Sequence, residues 1–340
     1  MSSKKLFKDS TVLITGGTGS FGRMTAKQLL TEYQCKKVII FSRDEWKQWE
    51  MKSSDPIYNH PSIRYFLGDV RDLQRLTRAF SEVDYVIHTA ALKQVPAAEY
   101  NPTEFVKTNV LGAMNVIEAA INCGVRQVIA LSTDKACYPV NLYGATKLCS
   151  DKLFVNGNVY VGNRGFPIFS VVRYGNVIGS RGSIIPYWLS SVREGAKYLT
   201  VTDERMTRFW ITIEEAVDFV LGCFSMSRGG EIFVPKIPGM KIMDLAKAIA
   251  PDLPIKISGI REGEKLHEMM ISQEDARIGR EYENHYIIIP EAYSQDSKKL
   301  KEYLKNRAGK ELPDGFSYQS DTNPNQLTQS DLKKYLRKYL

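Results

Sequence analysis

A chain of 340 residues with 43% hydrophobic and 25% charged side chains has enough material for one large domain and a smaller lobe, and reads as a soluble globular protein. The net charge of +8 comes from cations scattered along the sequence, densest near Lys298, Lys299, Lys301, Lys333 and Lys334. They read as solvated helix faces, which argues against a nucleic-acid surface and suits an anionic small molecule drawn toward a cleft. Five cysteines without a CxxC and four histidines without paired spacing predict a reducing cytoplasm, no disulfide framework and no metal site. The start Met1-Ser2-Ser3-Lys4-Lys5-Leu6 lacks an apolar signal core, and no apolar run approaches 18 residues, so no membrane association is expected.

Thr11–Thr15 is a short apolar run ending in glycines, followed by an amphipathic helix over about Phe21–Glu32. Further strands are predicted at Val38–Phe41, Ile63–Leu67, Tyr85–His88, Val128–Leu131 and Ile168–Val172. Helices fill the gaps at about Asp72–Phe80, Thr103–Asn122 and Leu142–Phe154. Buried strands alternating with helices imply an α/β fold with a doubly wound parallel sheet of the Rossmann kind over residues 1–175. Beyond Arg173 the pattern loosens, with helices at Ile184–Arg193 and Met243–Ala250. Residues 176–340 are expected to form mainly a substrate-binding lobe, with a crossover back to the sheet near Thr212–Val234.

Gly16-Gly17-Thr18-Gly19-Ser20-Phe21-Gly22 joins the first strand to the first helix. Glycines there permit a tight turn and close backbone approach, and the helix N-terminus attracts a phosphate, so the segment predicts a dinucleotide site. About 20 residues on, the second strand ends Ser42-Arg43-Asp44. An NAD site usually carries an acid at this place for the ribose 2′-hydroxyl, whereas a hydroxyl and a guanidinium suit the 2′-phosphate of NADP. Asp44 leaves NAD open, since it could turn in and accept from a free hydroxyl. Asp69 and Val70, past the third strand, are placed to meet the adenine.

Tyr143 and Lys147 lie four residues apart on one helix face, where an ammonium would favour the phenolate and let the tyrosine act as a base below its usual range. Eight residues upstream stand Ser132-Thr133-Asp134-Lys135, placing an acid and an amine at a strand end beside the same site. One base to begin an oxidation, a second base and an acid suggest chemistry beyond simple hydride transfer. Asn109 reads as a brace for the sheet edge.

These segments resemble the extended short-chain dehydrogenase/reductase superfamily. They are most similar to its polysaccharide-biosynthesis branch and the inverting UDP-N-acetylglucosamine 4,6-dehydratases of bacterial pseudaminic acid and related pathways, whose product enters flagellin glycosylation. The likeness runs through Gly16–Gly22, Ser42–Asp44, Gly68–Asp72, His88–Lys93, Ser132–Lys135, Asn141–Lys147, Arg173–Ser183, Met206–Ile211 and Arg261–Glu268. Cys137-Tyr138 depart from the expected small-Asn pair, and Thr89 replaces a small residue.

The resemblance implies tightly bound NADP, with cofactor contacts also from Lys47, Thr89, Leu131 and Ser132. It implies that Tyr143 takes the sugar O4 proton, that Lys135, if neutral, takes the C5 proton, and that protonated Asp134 serves the leaving C6 hydroxyl. Retaining relatives carry an acid where Lys135 stands, so the amine points to inversion at C5. Substrate contacts are implied at Lys93, Thr133, Asn176, Val177, Ser180, Arg181, Thr202, Arg261 and Glu264. The product would be UDP-2-acetamido-2,6-dideoxy-β-L-arabino-hex-4-ulose. A retaining dehydratase, a UDP-sugar C4 epimerase and a non-catalytic NADP-sensing regulator stay as alternatives. The resemblance also implies a homo-oligomer, a dimer paired through Thr103–Asn122 and Leu142–Phe154 or a hexamer.

Overall fold

Six apolar runs form the parallel strands β1 (Thr11–Thr15), β2 (Lys37–Ser42), β3 (Ile63–Leu67), β4 (Tyr85–His88), β5 (Gln127–Thr133) and β6 (Ile168–Tyr174). They are seen in a computed structural model that describes residues 3–180 and 182–337. Every residue of β1 and β4 is buried, as a strand covered by helices on both faces requires. The sheet order is β3-β2-β1-β4-β5-β6, with all neighbours parallel. The order reverses between β1 and β4, and in a doubly wound sheet that is where a ligand crevice opens at the strands' carboxyl ends.

The helices expected at about Phe21–Glu32 and Asp72–Phe80 run over Ser20–Thr31 and Leu73–Phe80. Asp72 is the cap of the second and accepts from the Arg75 amide at 2.9 Å. The single helix expected over Thr103–Asn122 is instead three pieces: Pro102–Phe105, a wide π turn at Val106–Leu111 and Gly112–Cys123. Such wide turns mark places where one residue must reach out of register. Here the residue is Asn109. Its side chain accepts from the Leu92 amide and donates to the Leu92 carbonyl, both at 2.9 Å, and also donates to Thr146 at 3.0 Å. It thereby ties the loop after β4 to the helix Leu142–Gly157.

The C-terminal half divides between two tasks. Helix Ile213–Met226, started by a capping box of Thr212 and Glu215, leads to strand Ile232–Pro235, which lies parallel beside β6. Strands His285–Ile288, Gly279–Glu281 and Lys310–Glu311 then extend the same sheet in antiparallel fashion to ten strands. This extension was not visible in the sequence, because each strand is only two to four residues long. A second apolar cluster, built on Trp188, Trp210, Met240, Leu245 and Leu332, packs the remaining elements over the carboxyl edge. Among the described residues no helix is long and apolar enough to cross a membrane.

Helix Leu142–Gly157 sits very close to the turn Asp134–Ala136 that follows β5. A Cβ on Gly144 would run into the carbonyl of Lys135. Both sides of that contact are backbone, so neither can give way cheaply. Gly144→Ala should therefore cost on the order of 1–3 kcal/mol in urea unfolding, the usual scale for overpacking. Parental stability would show that the two segments are not locked together.

Candidate active site

The glycine loop has the shape that an anion-binding turn needs. Gly16 has φ +66°, and a Cβ there would meet the backbone of Ala90 and Oγ1 of Thr89 at 2.9 Å. At Gly22 a Cβ would lie 2.5 Å from the Gly17 backbone, so its absence lets the helix start tight against the turn. The cap residue of that helix, Gly19, brings no side-chain acceptor to the first turn. Thr18 accepts from Arg23 Nε through its carbonyl at 3.1 Å, and Phe21 stacks on Tyr174 with ring centres 6.2 Å apart. Thr89 donates inward to the Thr15 carbonyl at 2.7 Å and so braces β1. The cradle fits a dinucleotide's diphosphate, with helix N-terminus and bare backbone facing the same space.

At the end of β2, Ser42 is buried and accepts from Gln48 Nε2 at 3.0 Å, while Arg43 is about half exposed and reaches Asp69 at 3.8 Å. Asp44 caps helix Glu45–Ser54: it accepts from the Lys47 amide at 3.0 Å and pairs with the Lys47 ammonium at 3.0 Å. Its carboxylate is thus engaged by Lys47. Asp69 also holds Arg71 at 2.8 Å, and the Val70 carbonyl accepts from Asn115 at 3.0 Å. Leu131 is half-buried in β5, and Ser132 donates to Asp151 at 2.7 Å.

β5 delivers the chemistry. Thr133 ends the strand and caps the turn that carries Asp134 and Lys135, its Oγ1 lying 3.3 Å from the Lys135 amide and 3.0 Å from Asp134 Oδ1. Asp134 is fully buried, and its Oδ2 has no hydrogen-bond partner among the described residues. Lys135 Nζ stands 3.1 Å from Asp134 Oδ1 and 3.0 Å from Glu268 Oε1. Glu268 is itself buried and faces Arg208 at 3.6 Å and Lys265 at 3.8 Å. Lys265 in turn donates to the carbonyl of Cys137 at 2.5 Å. Asn141 caps the next helix by accepting from Gly144, which fixes Tyr143 at its first turn.

The charges modify three expectations. Burial pushes the Tyr143 phenol up to about 12; Lys135 and a Thr133 hydrogen bond pull it down, and Asp134 and Asp151 push it up. The cation with the largest pull on the phenol is therefore Lys135, not Lys147 as the helix spacing suggested. Burial holds Lys147 below its ordinary range, against the pull of Asp151. The base role of Lys135 was conditional on desolvation leaving the amine neutral. Burial does act in that direction, yet Asp134 and Glu268 outweigh it and hold the amine above its ordinary range, as an ammonium. The Asp134 carboxyl is raised by burial and then by the Glu268 carboxylate, with Lys135 and Thr133 offsetting only part.

Around this centre, Lys93 follows β4; the protein around it, and then the Lys135 charge, hold its ammonium below the usual range. Asn176–Val177 pairs with Trp210–Ile211, and Ser180 donates through its amide to the Val177 carbonyl at 3.2 Å. Thr202 is buried, its hydroxyl 3.4 Å from Met206 Sδ. Arg261 is exposed on the loop whose Glu264 reaches Arg208 at 3.7 Å. Arg181 lies outside the described residues. Sequence reasoning missed Glu268, Arg208, Lys265 and Asp151. Of these, Arg208 and Lys265 with Glu268 fall inside the segments that carried the resemblance, but no spacing says that they meet Lys135 across more than 70 residues. At the departing pair, Tyr138 takes φ +46° and donates to Glu274 at 2.6 Å, while Cys137 is buried.

The fold and site define a nucleotide-sugar member of the dehydrogenase/reductase architecture, and the chain belongs to the polysaccharide biosynthesis protein family, which it matches over residues 12–290. It is 55% identical over 330 residues to the UDP-N-acetylglucosamine 4,6-dehydratase (inverting) of Campylobacter jejuni, covering 96% of this chain and 97% of that one. It is 45% identical over 277 residues to the UDP-glucose 4-epimerase of Rickettsia typhi, covering 79% of this chain and 80% of that relative. Among solved structures, Pen from Bacillus thuringiensis superposes with a TM-score of 0.87 at 33% identity over 98% of both chains.

The protein's own charges give Tyr143 no phenolate near neutrality. An ultraviolet titration of the cofactor-free protein, taken as the difference from Tyr143→Phe, should show no phenolate from this residue up to pH 10. A phenolate signal near pH 7 would mean that some protein cation already activates it.

Proposed function

We propose that the protein dehydrates UDP-N-acetylglucosamine across C4 and C6 with inversion at C5, a hydro-lyase reaction giving UDP-2-acetamido-2,6-dideoxy-β-L-arabino-hex-4-ulose. One observation carries the reading: a buried acid, Asp134, and an amine, Lys135, share the strand end that faces Tyr143. A C4 epimerase needs Tyr143 and Lys147 but not Asp134-Lys135. The near-full-length likeness to an inverting dehydratase supports the same choice.

The cofactor reading is NADP, held by the Gly16–Gly22 loop with Ser42 and Arg43 at the 2′-phosphate. When bound, it would supply the acceptor for the C4 hydride and the donor for the hydride at C6. Tyr143 accepts the O4 proton. The resulting ketone acidifies C5–H, and Lys135, once its ammonium has given its proton to solvent water, takes the C5 proton. Asp134, raised by burial and by the Glu268 carboxylate, delivers in its protonated form a proton to the departing C6 hydroxyl, so water leaves, and C5 is reprotonated from the opposite face as hydride returns to C6, which inverts that centre. Lys93 is suited to a phosphate or sugar hydroxyl of the substrate, Arg261 on its loop to the diphosphate, and Glu264 to the ribose or uracil. Product of this kind suits a pathway to pseudaminic acid or a related bacterial surface sugar.

Incubation with UDP-N-acetylglucosamine should remove one water by mass and leave the L-arabino configuration by NMR. A C4 epimer of unchanged mass would establish the epimerase, and retention at C5 the retaining dehydratase. For the cofactor, NADP should bind more tightly than NAD, and Arg43→Ala should shrink that preference. Equal affinities in the parent would contradict the assignment.

A further inference from the structure

Resting on the dehydratase reading, the geometry points to Glu268 as the positioning residue for the C5 base: it fixes the Lys135 amine against Asp134 and sets the pH at which that amine gives up its proton. Glu268 comes from the far side of the cleft, 133 positions after Lys135, next to strand Met269–Ile271. Its backbone is pinned on both sides. The Glu268 amide donates to Ser320 Oγ at 2.9 Å, and the Ser320 amide donates to the Glu268 carbonyl at 2.9 Å. Its carboxylate is buried, with Oε1 3.0 Å from Lys135 Nζ and 3.6 Å from Arg208 Nε.

A buried carboxylate is costly unless cations surround it. Three do so here. Arg208 is itself held by the carbonyls of Thr207, Lys265 and Leu266, and Lys265 by that of Cys137. Arg208 and Lys265 thus keep Glu268 ionised in place, and Glu268 presents that charge to the flexible end of Lys135. The groups facing Lys135 are Asp134 on its own turn, Glu268, Arg208 and Lys265 across the cleft, Tyr143 on the adjoining helix and Lys93 after β4. Glu264 reaches the cluster through Arg208 at 3.7 Å. Against burial, which raises it, Lys135, Arg208 and Lys265 hold Glu268 below the usual carboxylate range.

The sign of the effect follows. A carboxylate beside an ammonium raises the amine's pKa, so its removal lowers it, by about one unit or more for a charge within ~4–6 Å. The test is the pH profile of C5 hydrogen exchange in D₂O with UDP-N-acetylglucosamine, run on the NADP-loaded parent and on Glu268→Gln. A second profile measures acetylation of Lys135 by acetic anhydride, read by peptide mass spectrometry, because only the neutral amine reacts. In Glu268→Gln both profiles should move down by about one unit or more, while Glu268→Asp, which keeps the charge, should stay near the parent with a lower rate. Superimposable parent and Glu268→Gln profiles would overturn the inference, as would a downward shift in Glu268→Asp equal to that of the glutamine variant. Should Glu268→Gln not fold, the aspartate variant decides: a change in rate with the midpoint kept supports the role, and an unchanged rate overturns it. Absence of C5 exchange in the parent would instead contradict the proposed function itself, while the acetylation profiles would still report on Glu268.

Discussion

A lysine ammonium lodged between two buried carboxylates, Asp134 at 3.1 Å and Glu268 at 3.0 Å, is the interaction on which the site depends. Two carboxylates that share one cation cannot both stay ionised at low cost, so one is pushed toward its protonated form. Burial and the cluster's asymmetry select Asp134 for that state, because Arg208 and Lys265 stand on the Glu268 side. An acid and a prospective base therefore lie on neighbouring residues, with their protonation states divided by what surrounds them. The same cluster ties the strand end of the nucleotide-binding sheet to the elements that cover it.

The scaffold makes this division possible. Ladder hydrogen bonds run along all of β5 and β6, seven residues paired with seven, so Thr133 and the turn after it are fixed to the most interior part of the sheet. Opposite that turn, Gly144 lets the helix bearing Tyr143 approach backbone to backbone. Behind it, Arg173, fully buried, pairs with Asp151 at 3.5 Å and Asp275 at 3.0 Å, which fixes the helix to β6 and to the C-terminal segment. Buried ion pairs of this kind contribute little net stability but strongly penalise any arrangement that separates the partners. Position, more than strength, is what they provide.

Much of this was legible in the sequence. The glycine loop, the six parallel strands and the Asp134-Lys135 and Tyr143-Lys147 groups follow from local rules, since strand periodicity and helix spacing act over fewer than about ten residues. What escaped were long-range partners. Nothing in the neighbourhood of Glu268 indicates that its carboxylate meets Lys135, where with Asp134 it holds the amine as an ammonium. The π turn at Val106–Leu111 hid inside an amphipathic pattern because its cause, the bonds of Asn109 to Leu92 and Thr146, lies on other elements. Likewise the short antiparallel strands that complete the sheet are shorter than any pattern that periodicity can register.

The account stands on Lys135 as the group that takes the C5 proton, and its removal tests that most directly. Lys135→Ala leaves Tyr143 and the glycine loop in place, so NADP should titrate as in the parent. Exchange of the C5 hydrogen in D₂O should then fall by a factor on the order of 10²–10⁴, the usual cost of losing a general base. Exchange at the parental rate in that variant would contradict the account, and would assign C5 chemistry to another group.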